Sequence, residues 1–131
     1  MTDLLAAVLT LRPLEGSDYI PWLGIGVRAW FLKAVSAANS TLSERLHDGH
    51  QLRPYTVSSL LLSNRRRPLS PETPVTIRVT TLEDELTRMT RSLLPTLVGA
   101  TIVLAGLPFV VEAVTTDAAV HPWAGESTDI D

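Results

Sequence analysis

Hydrophobic residues first fall into short runs that indicate β-strands. Residues 4–11 form an apolar stretch that ends at Arg12 and Pro13, a pattern typical of a strand buried on both faces. Residues 55–62 predict a second strand, rich in β-branched and apolar side chains. Residues 75–80 alternate between Val or Ile and Thr or Arg, which predicts a half-buried third strand.

Helical spacing appears in two longer segments. Apolar residues recur every three or four positions from Leu23 to Ala38, which predicts a first long helix. A second apolar stripe runs over residues 82–93, after a threonine pair that can cap a helix, and Pro95 is expected to end it. Residues 41–44 have the form of a capping box and predict a short helical turn that carries His47.

The last strands are predicted as a short hairpin, residues 101–104 and 109–114, joined across residues 105–108. The resulting element order is β-α-β-β-α-β, which favours an α+β fold of the ferredoxin-like kind: an antiparallel sheet with two helices on one face. We expect one such domain over residues 1–116 and a polar tail over residues 117–131. Many activities share this scaffold, so the fold alone does not identify a function.

One segment permits a different interpretation. Residues 93–111 contain no charged side chain and are long enough to span a bilayer as a helix. Two prolines and two glycines interrupt them, which favours two short buried strands over one helix. We therefore expect no membrane association.

Composition adds three limits. The length of 131 residues suits a single domain, and 45% apolar with 19% charged residues excludes a disordered chain. The absence of Cys excludes disulfides and Cys-based zinc sites, and it suits the cytoplasm. The net charge of −3 argues against a free-standing nucleic-acid binder, unless the basic surface is local or lies on another chain.

His47 is the main candidate for chemistry. A histidine in the last turn of a helix can simply interact with the terminal carbonyls and the helix dipole. It can also act as a general acid or base on RNA, taking a proton from a ribose 2′-hydroxyl or giving one to the leaving 5′-oxygen. His50 lies three residues on, but Gly49 interrupts the helical geometry that a shared metal would need. We predict neither a metal nor a cofactor.

Basic residues supply the remaining candidates. Arg53 lies close to His47 in sequence and can stabilise charge on a scissile phosphate, or it can be an ordinary solvated loop residue. Arg65, Arg66 and Arg67 form a run that fits phosphate contacts, although exposed basic turns are common.

Four stretches together resemble one family. Residues 42–48 read LSERLHD and residues 52–60 read LRPYTVSSL, which is similar to the L-x-x-x-L-H-D, spacer, K/R-P-[FY]-T-[VI]-S-x-L signature of the Cas-six family. Residues 77–82, IRVTTL, resemble the family's R-[IVL]-T-x-L junction between strand and helix. Residues 121–125, HPWAG, resemble the stretch where the first domain of bacterial members runs into the second. The resemblance covers nearly the whole chain.

The Cas-six family consists of CRISPR-associated endoribonucleases, and the resemblance implies the same work here. Such enzymes cleave CRISPR repeat RNA without a metal, by attack of a 2′-hydroxyl that leaves a 2′,3′-cyclic phosphate. The family's catalytic histidine matches His47, and a nearby basic residue matches Arg53. The tyrosine that some archaeal members carry in the first helix falls near Phe31, which has no hydroxyl.

This sequence departs from the family pattern in one larger respect. Members normally have two ferredoxin-like domains, with a Gly-rich loop near the end of the second, and this chain has no such loop. The tail at residues 117–131 then corresponds to the start of the interdomain linker. The resemblance implies a truncated or split member, inactive without a second domain or chain that carries the Gly-rich loop. The alternative is a non-catalytic RNA-binding or scaffold subunit among other CRISPR effector subunits, or a remnant domain.

Overall fold

The computed structural model describes residues 3–18, 23–38, 55–58, 68–82, 84–120 and 124–128. The strands are β1 (Asp3–Pro13), β2 (Tyr55–Ser58), β3 (Val75–Thr81), β4 (Thr101–Leu104), β5 (Leu107–Thr115) and β6 (Gly125–Thr128). The helices are α1 (Leu23–Ala38) and α2 (Asp84–Leu93), and a 3-10 turn at Leu94–Leu97 follows α2. The short helical turn predicted before His47 lies outside the described residues.

The strands form an antiparallel sheet in the order β2-β3-β1-β5-β4, with β6 paired to β1. β1 and β3 lie at the centre, as the ferredoxin-like arrangement requires, and β5 takes the place of its fourth strand. The predicted α+β fold is therefore confirmed. As predicted, the last part of the sheet is a hairpin, in which β4 pairs with the outer edge of β5.

Both helices pack on one face of this sheet. Three residues of α1, spaced four positions apart, lie in the core and are fully buried: Val27, Phe31 and Val35. The sheet side of the same core consists of alternate residues of the central strands, which are Ala7, Leu9, Leu11, Val75, Ile77 and Val79. α2 contributes Leu86, and the 3-10 turn contributes Leu94. Complete burial of a side chain such as Phe31 contributes about 2 to 3 kcal/mol.

The first strand was predicted to be buried on both faces, and the structure corrects this. Its odd-numbered residues from Leu5 to Leu11 are buried beneath the helices. On the other face of β1 Val8 is buried, whereas Ala6, Thr10 and Arg12 are partly exposed. The apolar run is continuous in sequence, yet α1 and α2 both cover the same side.

The turn between β4 and β5 is tighter than predicted. Leu104 pairs with Leu107, so only Ala105 and Gly106 form the loop, and both have positive φ, 53° and 82°. Positive φ at both central residues is the mark of the type I′ turn that suits the twist of a hairpin. A Cβ on Gly26 of α1 would lie 2.6 Å from the backbone nitrogen of Ala105. The absence of a side chain at position 26 thus lets α1 seat against this turn.

The second edge of β1 is shared by two strands. β5 pairs with residues Val8 to Pro13, and β6 pairs with residues Asp3 to Ala6. β6 lies within the segment predicted as a polar tail. Its four residues, GEST, carry no alternating apolar pattern, so a strand could not be predicted there from local pattern.

Candidate membrane spans are lacking in the part of the chain that the structure describes, where neither helix is long and apolar enough. The apolar segment at residues 93–111 instead holds the end of α2, the 3-10 turn, β4 and the start of β5. The strand interpretation of that segment is confirmed.

Candidate functional site

The residues that the sequence singled out for chemistry are His47, Arg53, Arg65, Arg66 and Arg67. All five lie outside the described residues. The structure describes the residues that flank them in sequence: the end of α1, the strand β2, and the stretch that begins at Pro68.

The segment with His47 and Arg53 leads into β2 at one end of the sheet. Tyr55, the first residue of β2, is paired with Thr81, and Thr81 is also paired with Leu5 near the start of β1. The end of β3 and the beginning of α2 meet at this same place, where the hydroxyl groups of Thr81 and Thr87 are hydrogen-bonded at 2.6 Å. Both threonines are fully buried. The first residue of β2 is therefore paired with a strand end that is held to α2 by a buried hydrogen bond.

Leu69, two residues after the three arginines in sequence, lies toward the opposite end of the sheet. Leu69 and Ser17 exchange two backbone hydrogen bonds, with N···O distances of 2.7 and 3.0 Å. Leu69 is buried in the core, so this attachment is packed as well as hydrogen-bonded. From Leu5 to Pro13, β1 runs about 26 Å at 3.3 Å per residue. The described residues that follow the two site segments in sequence, Tyr55 and Leu69, thus lie near opposite ends of β1.

Arg12 strengthens the second attachment, and sequence reasoning did not single it out. Its Nη1 donates to the carbonyl oxygen of Pro71 at 2.7 Å, and its Nε donates to Oε2 of Glu112 at 2.9 Å. Glu112 is available because β5 contains a bulge: Thr10 pairs with Ala113 and Leu11 with Val111, which leaves Glu112 as the extra residue. A register shift of this kind has no clear signal in sequence.

The face of the sheet opposite the helices carries a polar pattern. Arg78 lies at its centre, paired with Val8 on β1, and partly exposed threonines occupy the neighbouring positions on the same face. The sequence did reveal this alternation along β3, but not which residues of the other strands would lie beside it. That information comes only from the strand register.

The described aromatic rings are not arranged for stacking on bases. Phe31 and Phe109 are fully buried, and Trp30 is partly buried against the core with its ring 6.5 Å from that of Phe31. Trp30 thus packs as part of the core.

Comparison with known proteins gives a consistent result. No family model matches the chain, and no curated protein matches its sequence. Among solved structures, a Cas6 product complex from Thermus thermophilus matches 96% of this chain at 23% identity and a TM-score of 0.72. The chain resembles Cas6. A second Cas6 product complex matches 96% of the chain at 25% identity and a TM-score of 0.68.

The likeness extends to a RAMP protein whose structure is described as binding different RNA substrates. It shares 15% identity over 84% of this chain at a TM-score of 0.63, which shows a common fold. This chain spans only 44 to 47% of the length of these Cas6 and RAMP chains. The resemblance to Cas6 predicted from the sequence is confirmed, and it concerns somewhat less than half of each relative.

Proposed function

We propose that this chain is the N-terminal half of a Cas6-like endoribonuclease that cleaves CRISPR repeat RNA. The observation that carries the proposal is the match over 96% of the chain to Cas6 structures that contain a reaction product. It is supported by the LSERLHD and LRPYTVSSL stretches, which bring His47 and Arg53 into register with the family signature. RNA processing or RNA binding is thus the role that the fold supports.

The proposed reaction is an internal transesterification. The ribose 2′-oxygen attacks the adjacent phosphorus while His47 takes its proton or, as imidazolium, protonates the departing 5′-oxygen. The bond between phosphorus and the 5′-oxygen breaks, and the products are a 2′,3′-cyclic phosphate and a 5′-hydroxyl. Arg53 stabilises the charge that builds up on the phosphoryl oxygens. No metal ion enters this scheme.

The framework supports the positioning of such a site. Arg53 stands two residues before Tyr55, the first residue of β2, where strand pairing and the Thr81–Thr87 hydrogen bond fix the backbone. A catalytic group carried next to a rigid element loses little entropy when it is aligned with substrate. Arg65, Arg66 and Arg67 precede Leu69, which is hydrogen-bonded to Ser17, and we propose that they bind the RNA backbone away from the cleavage site.

A second candidate is a non-catalytic RNA-binding or scaffold subunit of a CRISPR ribonucleoprotein. One observation favours it: the net charge of −3, because a nucleic-acid binder that acts alone is usually basic. A second ferredoxin-like domain or chain that carries a Gly-rich loop would complete the RNA-binding surface in either case. The two candidates differ in whether His47 performs chemistry.

The test is a cleavage assay with repeat RNA and the complete protein complex, comparing His47→Ala with His50→Ala. His50 is the matched control because it is the same residue type, three positions away. We expect His47→Ala to lose cleavage by a factor of about 100 or more, the usual contribution of a general acid or base, and His50→Ala to retain it. Equal rates for wild type and His47→Ala would support the non-catalytic subunit.

A further inference from the structure

β4 forms one edge of the sheet, and its outer side carries no further strand among the residues that the structure describes. In the strand order β2-β3-β1-β5-β4, β4 pairs with β5 alone. A strand at an edge presents N–H and C=O groups that can bond to another strand. The sequence of β4, TIVL, contains no charged residue and no Pro, which are the residues that usually block such pairing.

The register of the hairpin determines which backbone groups of β4 face outward. Antiparallel pairs alternate between pairs that exchange hydrogen bonds and pairs that do not. Pro108 has no N–H, so its pair with Val103 is of the second kind, as is the pair of Thr101 with Val110 two residues away. The N–H and C=O groups of Thr101 and Val103 therefore point away from β5, toward the edge.

A second copy of the same strand would satisfy all of these outward groups. A two-fold axis through Ile102 places Thr101 of each copy opposite Val103 of the other, in an antiparallel pairing. Both pairs then exchange two backbone hydrogen bonds each. An axis through Val103 would instead direct Thr101 to Ala105, which lies in the turn and has positive φ. The axis through Ile102 thus makes the edge complementary to itself.

The surroundings of this edge are apolar and uncharged. Residues 92–111 contain no charged side chain, so two copies that each carry a net charge of −3 can approach here with little repulsion. Leu14 donates its N–H to Pro108 at 3.1 Å, and Gly26, which follows Ile25, lies against Ala105. Four of the six exposed large apolar side chains among the described residues therefore surround the hairpin, and they are Leu14, Ile25, Val98 and Val103. Exposed apolar patches are typical of interaction surfaces.

We infer that the β4 edge joins two copies of this chain into a dimer, with one antiparallel sheet running across the two-fold axis. The occupant is a second copy because it offers the same outward groups at the same spacing and, like the first, no charge. β4 is only four residues long, so the interface is smaller than the roughly 1,200 Å² at which stable complexes begin. We therefore expect a weak dimer with a dissociation constant of about 0.1 mM.

Sedimentation velocity of the full chain, from about 10 μM to about 1 mM, measures this association. Val103→Lys places a charge on the edge at a side chain that is 58% exposed, and it should weaken dimerisation by about tenfold or more. Thr56→Lys is the matched control, because it adds the same charge at an exposed position of β2, at the other end of the strand order. It should stay within about twofold of wild type, and thermal unfolding checks that each variant is folded.

Cysteine cross-linking tests the register, since the chain has no Cys of its own. In the inferred dimer, position 101 of one copy faces position 103 of the other with Cα atoms about 5.5 Å apart, within the range of a disulfide. Identical positions of the two copies are offset by about 7 Å along the strand, which takes them beyond that range. An equal mixture of Thr101→Cys and Val103→Cys should therefore form a disulfide-linked dimer on mild oxidation, far more than either variant alone.

Three results would overturn the inference. The first is a chain that stays monomeric up to about 1 mM, which would leave the edge to a different partner. The second is association that Val103→Lys and Thr56→Lys affect equally, which would place the contact on another surface. The third is cross-linking no stronger in the mixture than in the separate variants. Neither measurement involves RNA, so the inference stands or falls independently of the proposed function.

Discussion

Replacing either of two buried threonines on α2 by Val should change the stability of the fold in opposite directions. Thr87 and Thr90 are both fully buried and lie three residues apart on the side of α2 that faces the sheet. The Thr87 hydroxyl is hydrogen-bonded to that of Thr81 at 2.6 Å, whereas the Thr90 Oγ1 has no hydrogen-bond partner among the residues that the structure describes. Replacing either by Val keeps the shape and removes only the hydroxyl.

The expected magnitudes follow from hydrogen-bond accounting. Thr87→Val removes a buried bond and leaves the Thr81 hydroxyl without this partner, which should destabilise the fold by about 2 kcal/mol. Thr90→Val removes a buried polar group that has no partner, which should stabilise the fold by about 1 kcal/mol. Helix propensity does not decide the sign, because Thr and Val rank alike.

Thermal and denaturant unfolding of the two variants provide the assay. At roughly 4 °C per kcal/mol for a chain of this size, Thr87→Val should melt about 8 °C below wild type and Thr90→Val about 4 °C above it. If Thr90→Val destabilises the fold as much as Thr87→Val, then the Thr90 hydroxyl has a partner in solution and the reasoning is refuted. Such a result would also weaken the claim that the Thr81–Thr87 bond is what fixes α2 beside the entry to β2.

Two further predictions concern the contact between α1 and the β4–β5 turn. Gly26→Ala should destabilise the fold by about 2 kcal/mol, because the new Cβ would meet the Ala105 nitrogen at 2.6 Å; a higher denaturation midpoint would show that helix propensity dominates. Ala105→Gly should raise stability by about 0.5 kcal/mol and Gly106→Ala should lower it by about 1 to 2 kcal/mol, because both positions need positive φ, and calorimetry showing changes of the same sign would contradict the turn assignment.

Much of the fold could be predicted because the patterns are local. The helical spacing of residues 23–38 and the alternation of β3 correspond directly to elements whose buried faces meet in one core. Pro95 stops α2 as expected, since α2 ends at Leu93 and a 3-10 turn containing Pro95 follows.

The rest depends on contacts between distant residues. β6 is a polar strand that pairs with the first residues of β1, which β5 does not reach. No local pattern in the sequence of β6 predicts this pairing. The Arg12 bond to Glu112 depends on a bulge in β5, and the polar positions beside Arg78 on the face opposite the helices depend on strand register. Of the candidate site, the sequence identified the segments that carry His47 and the arginines. The structure contributed the positions of Tyr55 and Leu69, which follow those segments in sequence, near opposite ends of β1.

Analysis of the RNA ends tests the central claim most directly. Repeat RNA is incubated with the complete complex in the presence of a metal chelator, and the products are examined by mass spectrometry, with a second substrate that carries a single 2′-deoxy group at the scissile nucleotide. The proposed reaction predicts a 2′,3′-cyclic phosphate and a 5′-hydroxyl, formed by wild type, absent in His47→Ala, and absent with the 2′-deoxy substrate. Products with a 3′-hydroxyl and a 5′-phosphate, or cleavage of the 2′-deoxy substrate, would contradict it.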